Sequence, residues 1–305
     1  MEDRSAASRS IADVPALPLF LFTILLPLMS IVMLWRRTRV PLTGWIATLL
    51  ATLAVTGFSV LTAPWGWFGL PVRYALLVLL ALAILVSLRR AVPPEANEES
   101  PLRSIVKVIV AFIFGSVAIG VLRGHEIPSG AIDLAFPLRG GRFLIGHGGS
   151  TGPSNIHHND PRQRYALDIM KLNSYGSRAN GLLPQNLRDY AIYDADVLSP
   201  CDGAIVAAVD AFPDQTPGTM DAKNAAGNHV IVRCGDANVT LAHLRRGSVS
   251  VHPGAKVTTG QILGHVGNSG NTSEPHLHVH AERNGVAVPA KFGGEWWVRN
   301  DVAKR

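Results

Sequence analysis

The chain has 305 residues, 48% of them hydrophobic and only 16% charged, with a formal net charge of +6. A mean hydropathy of +0.22 argues against a purely soluble chain, and the apolar excess sits in the first 122 residues. The basic balance, with a pI near 9.6, suits polyanions; no basic run with interleaved aromatics supports nucleic acid, whereas an anionic membrane surface or an acidic wall polymer fits. Arginines that merely fix membrane topology would give the same balance.

Four stretches satisfy the length a helix needs to cross a bilayer, about 20 mostly apolar residues. They run over residues 16–35, 44–63, 72–88 and 105–122. Pro18 and Pro27 interrupt the first, which a membrane helix tolerates when neighbouring groups re-satisfy the freed backbone. That stretch lacks a small-residue cleavage site and is followed by Arg36, Arg37 and Arg39, so it reads as a stop-transfer helix and not a signal peptide. The first loop carries these arginines and the third carries Arg89, Arg90 and Arg103, while the second, with Trp65 and Trp67, has no basic residue between Pro64 and Pro71. Excess Lys and Arg marks the cytoplasmic side, so the N-terminus and everything beyond Leu122 are expected outside. No Asp, Glu or His lies in the four stretches, which favours a lipid-bilayer anchor over a transporter. Residues 1–122 are therefore read as a multi-pass all-α anchor and 123–305 as an extracytoplasmic domain.

Beyond Leu122 the pattern is all-β. Short β-prone runs at 203–209, 227–234, 238–244, 247–251, 261–266 and 276–282 are separated by Gly, Pro and Asn turns. Tyr165 to Met170 reads as a further strand, and 171–196 as a long irregular segment with one short helix around 185–190, a candidate cleft wall. Cys201 and Cys234 lack CxxC spacing; one disulfide and two buried thiols remain equally open.

All eleven histidines follow residue 122. In Glu274-Pro275-His276-Leu277-His278-Val279-His280, strand alternation turns the three imidazoles to one face. An H-x-H pair can give one ring to a metal and its neighbour to the reaction. Upstream, Asn155-Ile156-His157-His158 precedes Gln163-Arg164-Tyr165-Ala166-Leu167-Asp168-Ile169, where Asp168 is a lone charge between apolar neighbours and needs a partner such as a metal. Leu241-Ala242-His243-Leu244 embeds another histidine in a β-prone run.

These blocks, with the turn pattern from Val251 to Gly260 and Val266-Gly267-Asn268-Ser269-Gly270-Asn271-Thr272, resemble the lysostaphin-type, LytM-like M23 zinc endopeptidases over about residues 155–282. The resemblance implies an antiparallel β-sheet domain with long loops around a zinc cleft. It implies one Zn2+ held by His157, Asp168 and His278, with His243 and His276 as catalytic residues. Many members separate the first ligand and the aspartate by four residues; here the interval is eleven, and His158 is an alternative first ligand. His280 stands where an apolar or amide residue is more usual and is read as supporting or surface. Two histidines and a carboxylate leave the fourth zinc position open, the arrangement of a catalytic site. The implied activity is hydrolysis of peptide bonds in cell-wall peptidoglycan, in stem or cross-bridge peptides. Two other readings stand beside it: a non-catalytic wall-binding or hydrolase-activating domain, and a peptidase acting on an extracytoplasmic protein. His125, His147, His229, His252 and His265 receive no role, and Asn228 is a candidate support near the site.

Overall fold

The computed structural model describes residues 16–36, 41–90 and 100–305. Arg37, Arg39 and the first fifteen residues, on which part of the topology reading rests, lie outside the described residues, as do residues 91–99. The chain divides into two compact units, one helical and ending at Arg123, the other beginning at Gly124.

In the helical unit, α1 (Pro18–Arg36), α2 (Leu42–Thr62), a single turn α3 (Trp65–Phe68), α4 (Leu70–Arg90) and α5 (Pro101–Arg123) follow one another. Four of these are long and apolar enough to cross a membrane. Each matches a stretch read from hydropathy, with ends displaced by up to four residues. Within α1 a wide π turn covers Leu21–Leu25, just before Pro27. Proline has no N–H for the carbonyl four residues back. That carbonyl, of Thr23, accepts instead from Ser59 Oγ of α2 at 2.7 Å. Thr48, Thr52, Thr56 and Ser59 form a buried small-residue stripe along α2, the kind of surface that lets apolar helices approach closely.

The second unit is built on β-strands: β1 (Ile132–Leu134), β2 (Arg142–His147), β3 (Leu167–Leu172), β4 (Asp196–Leu198), β5 (Gly203–Val209), β6 (Asn228–Cys234) and β7 (Ala237–Leu244). There follow β8 (Lys256–Val257), β9 (Ile262–His265), β10 (Leu277–Arg283), β11 (Val286–Val288), β12 (Ala290–Phe292) and β13 (Val302–Lys304). The main sheet runs β13-β2-β3-β10-β7-β6-β5-β8, antiparallel at every pairing, with β11 also paired to β10. Two small sheets, β1 with β12 and β4 with β9, accompany it.

Alternation divides the main sheet into two chemistries. Ile145, Leu167, Ile169, Val230, Val232, Val239, Leu241, Leu277 and Val279 belong to one buried cluster with Leu134, Val197, Leu263 and Phe292. Each such side chain contributes about 1.5–3 kcal/mol when removed from water. The intervening positions face the other way and carry the polar residues described below.

The run 247–251 does not form the expected strand. It turns instead: Gly247 takes φ 74°, its N–H donates to Asp210 Oδ1 at 2.7 Å, and Ser248 Oγ donates to the Arg245 carbonyl at 2.7 Å. The expected helix near 185–190 is a 3-10 turn, Leu187–Asp189, capped by the Asn186 side chain. Cys201 and Cys234 are joined in a disulfide, with Cα atoms 5.8 Å apart.

Candidate metal centre

Strand register assembles the site. His147 of β2 lies opposite Asp168 of β3, Asp168 opposite His278 of β10, His278 opposite Ala242 of β7, and Ala242 opposite His229 of β6. One row across five strands thus carries a carboxylate and three imidazoles on the face away from the core. A bulge between Ile145 and His147 brings His147 into this row.

His157 reaches the row from a 3-10 turn, Ile156–Asn159, whose first residue is fixed by Asn155. Asn155 Oδ1 accepts from the His157 N–H at 3.0 Å, and its Nδ2 donates to the carbonyl of Ala166 at 3.0 Å, tying the turn to the start of β3. His157 Nε2 then stands 3.0 Å from Asp168 Oδ2, and His278 Nδ1 stands 2.9 Å from Asp168 Oδ1. The donor atoms of His157, Asp168 and His278 all lie within 4.8 Å of one another. His158, the alternative from sequence, is not in this group; its carbonyl accepts from Arg164 Nε at 3.2 Å.

His243 and His276 stand beside the three, with ring centroids 4.8 Å apart. His276 Nε2 is 3.6 Å from Asp168 Oδ1. His243 Nδ1 lies 2.9 Å from the Ser269 carbonyl, and His276 Nδ1 2.8 Å from that of Glu274. A carbonyl only accepts, so each Nδ1 carries a proton and the Nε2 of each ring is left for other partners. His243 holds φ 64°, a left-handed conformation uncommon for residues with a side chain and of the kind that concentrates at functional sites. The loop that supplies the Ser269 carbonyl is interlocked with the turn before β6: a Cβ on Gly227 would strike that carbonyl, and one on Gly270 would strike the Gly227 backbone.

The electrostatics follow from burial and neighbours. Burial opposes ionisation of Asp168, but the charges and hydrogen bonds of His157, His276 and His278 outweigh it, and its carboxyl lies well below the usual carboxylate range. Burial also opposes protonation of His157, yet the adjoining Asp168 carboxylate raises its pKa overall. His278 is pushed down by burial, against the pull of Asp168. His243 is pushed well down by burial and by His276 and His278, and so is neutral.

Two nitrogens and one carboxylate oxygen are ligands that Zn2+ favours. Bonds of about 2.0–2.1 Å in a tetrahedron require donor separations of about 3.3 Å. The three donors lie within 4.8 Å of one another, and each imidazole is about 3 Å from a carboxylate oxygen, so the donor set fits zinc in type and reach. A cavity of about 310 Å³ opens onto it, walled by Asp160, Gln163, Thr240, Ala242, His243 and Asn271 among others.

His147 is a supporting residue that sequence reasoning left without a role. His147, opposite Asp168, has its ring 6.2 Å from that of His157 and accepts from Arg299 Nη1 at 3.0 Å. Burial brings its pKa down to about 3. The alternation of Arg142–His147 was the available signal, but the bulge at Gly146 disguises it. Asn228, named from sequence as a candidate support, ties the surrounding loops together: its Nδ2 donates to the carbonyls of Phe212 and Leu244, and its N–H to Ser269 Oγ. His125, His252 and His265 lie outside the cluster, and His229 is occupied with the Gly227 carbonyl at 2.8 Å.

A family model described as Peptidase family M23 matches residues 188–290, which contain His243, His276 and His278. That segment is thus similar to peptidase family M23. His157 and Asp168 precede the matched segment. Similar solved structures include a mutant catalytic domain of the prophage-encoded M23 protein EnpA from Enterococcus faecalis, at 16% identity over 50% of this chain and 93% of that one, TM-score 0.31. A zinc-containing peptidase from Vibrio cholerae is 19% identical over 50% of this chain and 37% of that one, TM-score 0.31. Lysostaphin from Staphylococcus simulans, an antimicrobial peptidase, is 20% identical over 47% of this chain and 43% of that one, TM-score 0.29. This chain spans less than half the length of the latter two.

Proposed function

We propose that this chain is a membrane-anchored zinc endopeptidase that hydrolyses peptide bonds of cell-wall peptidoglycan outside the cytoplasm, with residues 1–122 as anchor and 123–305 as enzyme. The observation that carries it is the convergence of two kinds of histidine on Asp168. His157 and His278 turn donor atoms to the carboxylate, while His243 and His276 are held at Nδ1 by backbone carbonyls.

His157, Asp168 and His278 would hold zinc, which would supply Lewis acidity for the reaction. The remaining work belongs to the chain. One of His243 and His276 takes the proton of the attacking water at Nε2. The other, protonated, donates from Nε2 to the carbonyl oxygen as charge develops there. The low-dielectric surroundings strengthen both interactions.

The outside location draws on two independent features. Arg36, Arg37 and Arg39 in the first loop, and Arg89, Arg90 and Arg103 around the third, outnumber Arg73, the basic residue near the second. A disulfide persists in oxidising compartments and is rare in the cytosol. The substrate class rests on the family resemblance. Digestion of purified peptidoglycan by the full-length protein, followed by mass spectrometry of released muropeptides, tests it; new amino termini in stem or cross-bridge peptides are expected. Intact wall, together with cleavage of an extracytoplasmic protein by the same zinc-loaded preparation, would remove peptidoglycan from the proposal.

A further inference from the structure

The H-x-H pair extends here into H-x-H-x-H, and the third histidine makes a contact that zinc ligation by the second requires. A neutral imidazole that coordinates through one nitrogen carries its proton on the other, and that N–H must find an acceptor if the ring is to be held. His278 turns Nδ1 toward Asp168 Oδ1 at 2.9 Å, the side on which the donor atoms converge. With a metal held at Nδ1, the proton of this ring resides on Nε2. That nitrogen lies 2.9 Å from His280 Nδ1, with ring centroids 5.1 Å apart and planes at 67°.

We infer that His280 is a positioning residue for the metal centre, accepting the His278 Nε2–H at its own Nδ1 and thereby fixing both the tautomer and the rotation of the coordinating ring. The inference rests on the zinc reading proposed above. Strand β10 supplies the geometry, because residues two apart on a strand share a face. Across the ladder His280 sits opposite Thr240 on the cavity wall. His278 is only 5% exposed, so bulk water cannot readily replace a lost acceptor. Without His280 a buried N–H loses its partner, and a half-turn of the His278 ring that exchanges its two nitrogens is no longer opposed. Asp168 occupies the Nδ1 side of the ring, and among the described residues His280 is the hydrogen-bond partner at Nε2.

The test is zinc affinity of the full-length protein in detergent, stripped of metal and titrated against a competing chelator. His280→Phe keeps the ring volume and removes the acceptor, and should weaken zinc binding about 10- to 100-fold. His280→Asn returns an acceptor oxygen near the Nδ1 position and should stay within about threefold of wild type. Melting of the metal-free proteins checks that each variant folds; if Phe is not accommodated, His280→Ala makes the same comparison with a smaller side chain. Equal affinity in wild type and the acceptor-free variant overturns the inference while leaving zinc binding intact. A folded His280→Asn protein that loses as much affinity as the acceptor-free variant also overturns it, and marks His280 as a ligand. A wild-type protein that binds no zinc overturns the proposed function itself, and the inference with it.

Discussion

Arg178 and Glu274 form a buried ion pair, with Arg178 Nη2 2.7 Å from Glu274 Oε2 and Nε 2.8 Å from Oε1; the two residues are 2% and 7% exposed. The same guanidinium donates to the Leu182 carbonyl at 2.9 Å and lies against the Tyr190 ring. The irregular segment after β3 is thereby tied to a residue two positions before His276. Removing one partner leaves a buried charge, which costs about 3–5 kcal/mol. Arg178→Met should lower the melting temperature of the C-terminal domain and expose 171–196 to proteolysis. Replacing both partners together by apolar residues should recover most of that stability, since the desolvation penalty disappears with the pair. Thermal proteolysis of the single and double variants checks both outcomes.

The division of labour between the two pairs of histidines makes separable predictions. Asp168→Ala and His278→Ala should lose zinc and hydrolysis together, because each removes a donor atom from the converging set. His243→Ala should retain about one zinc per chain and lose turnover by about 10²–10⁴-fold, the range for a missing acid or base. His276→Ala should behave in the same way. Metal analysis beside a peptidoglycan digestion assay distinguishes the classes, and full turnover in His278→Ala would defeat the mechanism.

The sequence revealed the elements that obey a local rule. Gly203–Val209 is a strand at the bounds its β-prone run predicts, because glycine and proline punctuate both ends. The His276–His280 pattern announced a shared face, and β10 provides it. Strands β1, β12 and β13 escaped because three residues are too few to show alternation. Long-range register escaped as well: Asp168 and His278 are 110 residues apart, and only the β3–β10 pairing makes them neighbours. The 247–251 run misled because a β-prone pair, Val249 and Val251, follows a glycine whose backbone hydrogen bond goes to Asp210 and not to a ladder.

Gly270 should prove intolerant of any side chain. It adopts φ 90°, and a Cβ there would meet the Gly227 N at 2.5 Å and the Ala225 carbonyl at 2.6 Å. Backbone cannot yield as a flexible side-chain tip does, so Gly270→Ala must move the loop that presents the Ser269 carbonyl to His243. Zinc should still bind, because neither His157, Asp168 nor His278 belongs to that loop. Hydrolysis should fall about 10- to 100-fold, the scale on which small misplacement of a catalytic group acts. An active Gly270→Ala enzyme with unchanged turnover would show that His243 does not depend on this loop.

The disulfide makes location and stability testable together. Cys201 and Cys234 close a loop of sequence separation 33, joining the turn before β5 to the end of β6. Chain-entropy reasoning gives a cross-link of that span about 3–4 kcal/mol through restriction of the unfolded state. The paired Cys201→Ser, Cys234→Ser protein should therefore melt lower than wild type, with the zinc ligands untouched. In intact cells, a thiol reagent that does not cross membranes should label the wild-type domain only after an external reductant is supplied. An extracytoplasmic domain has both cysteines oxidised and within reach of that reductant. Labelling that requires cell lysis would put the domain on the cytoplasmic side and reverse the orientation argued from Arg36 and Arg89.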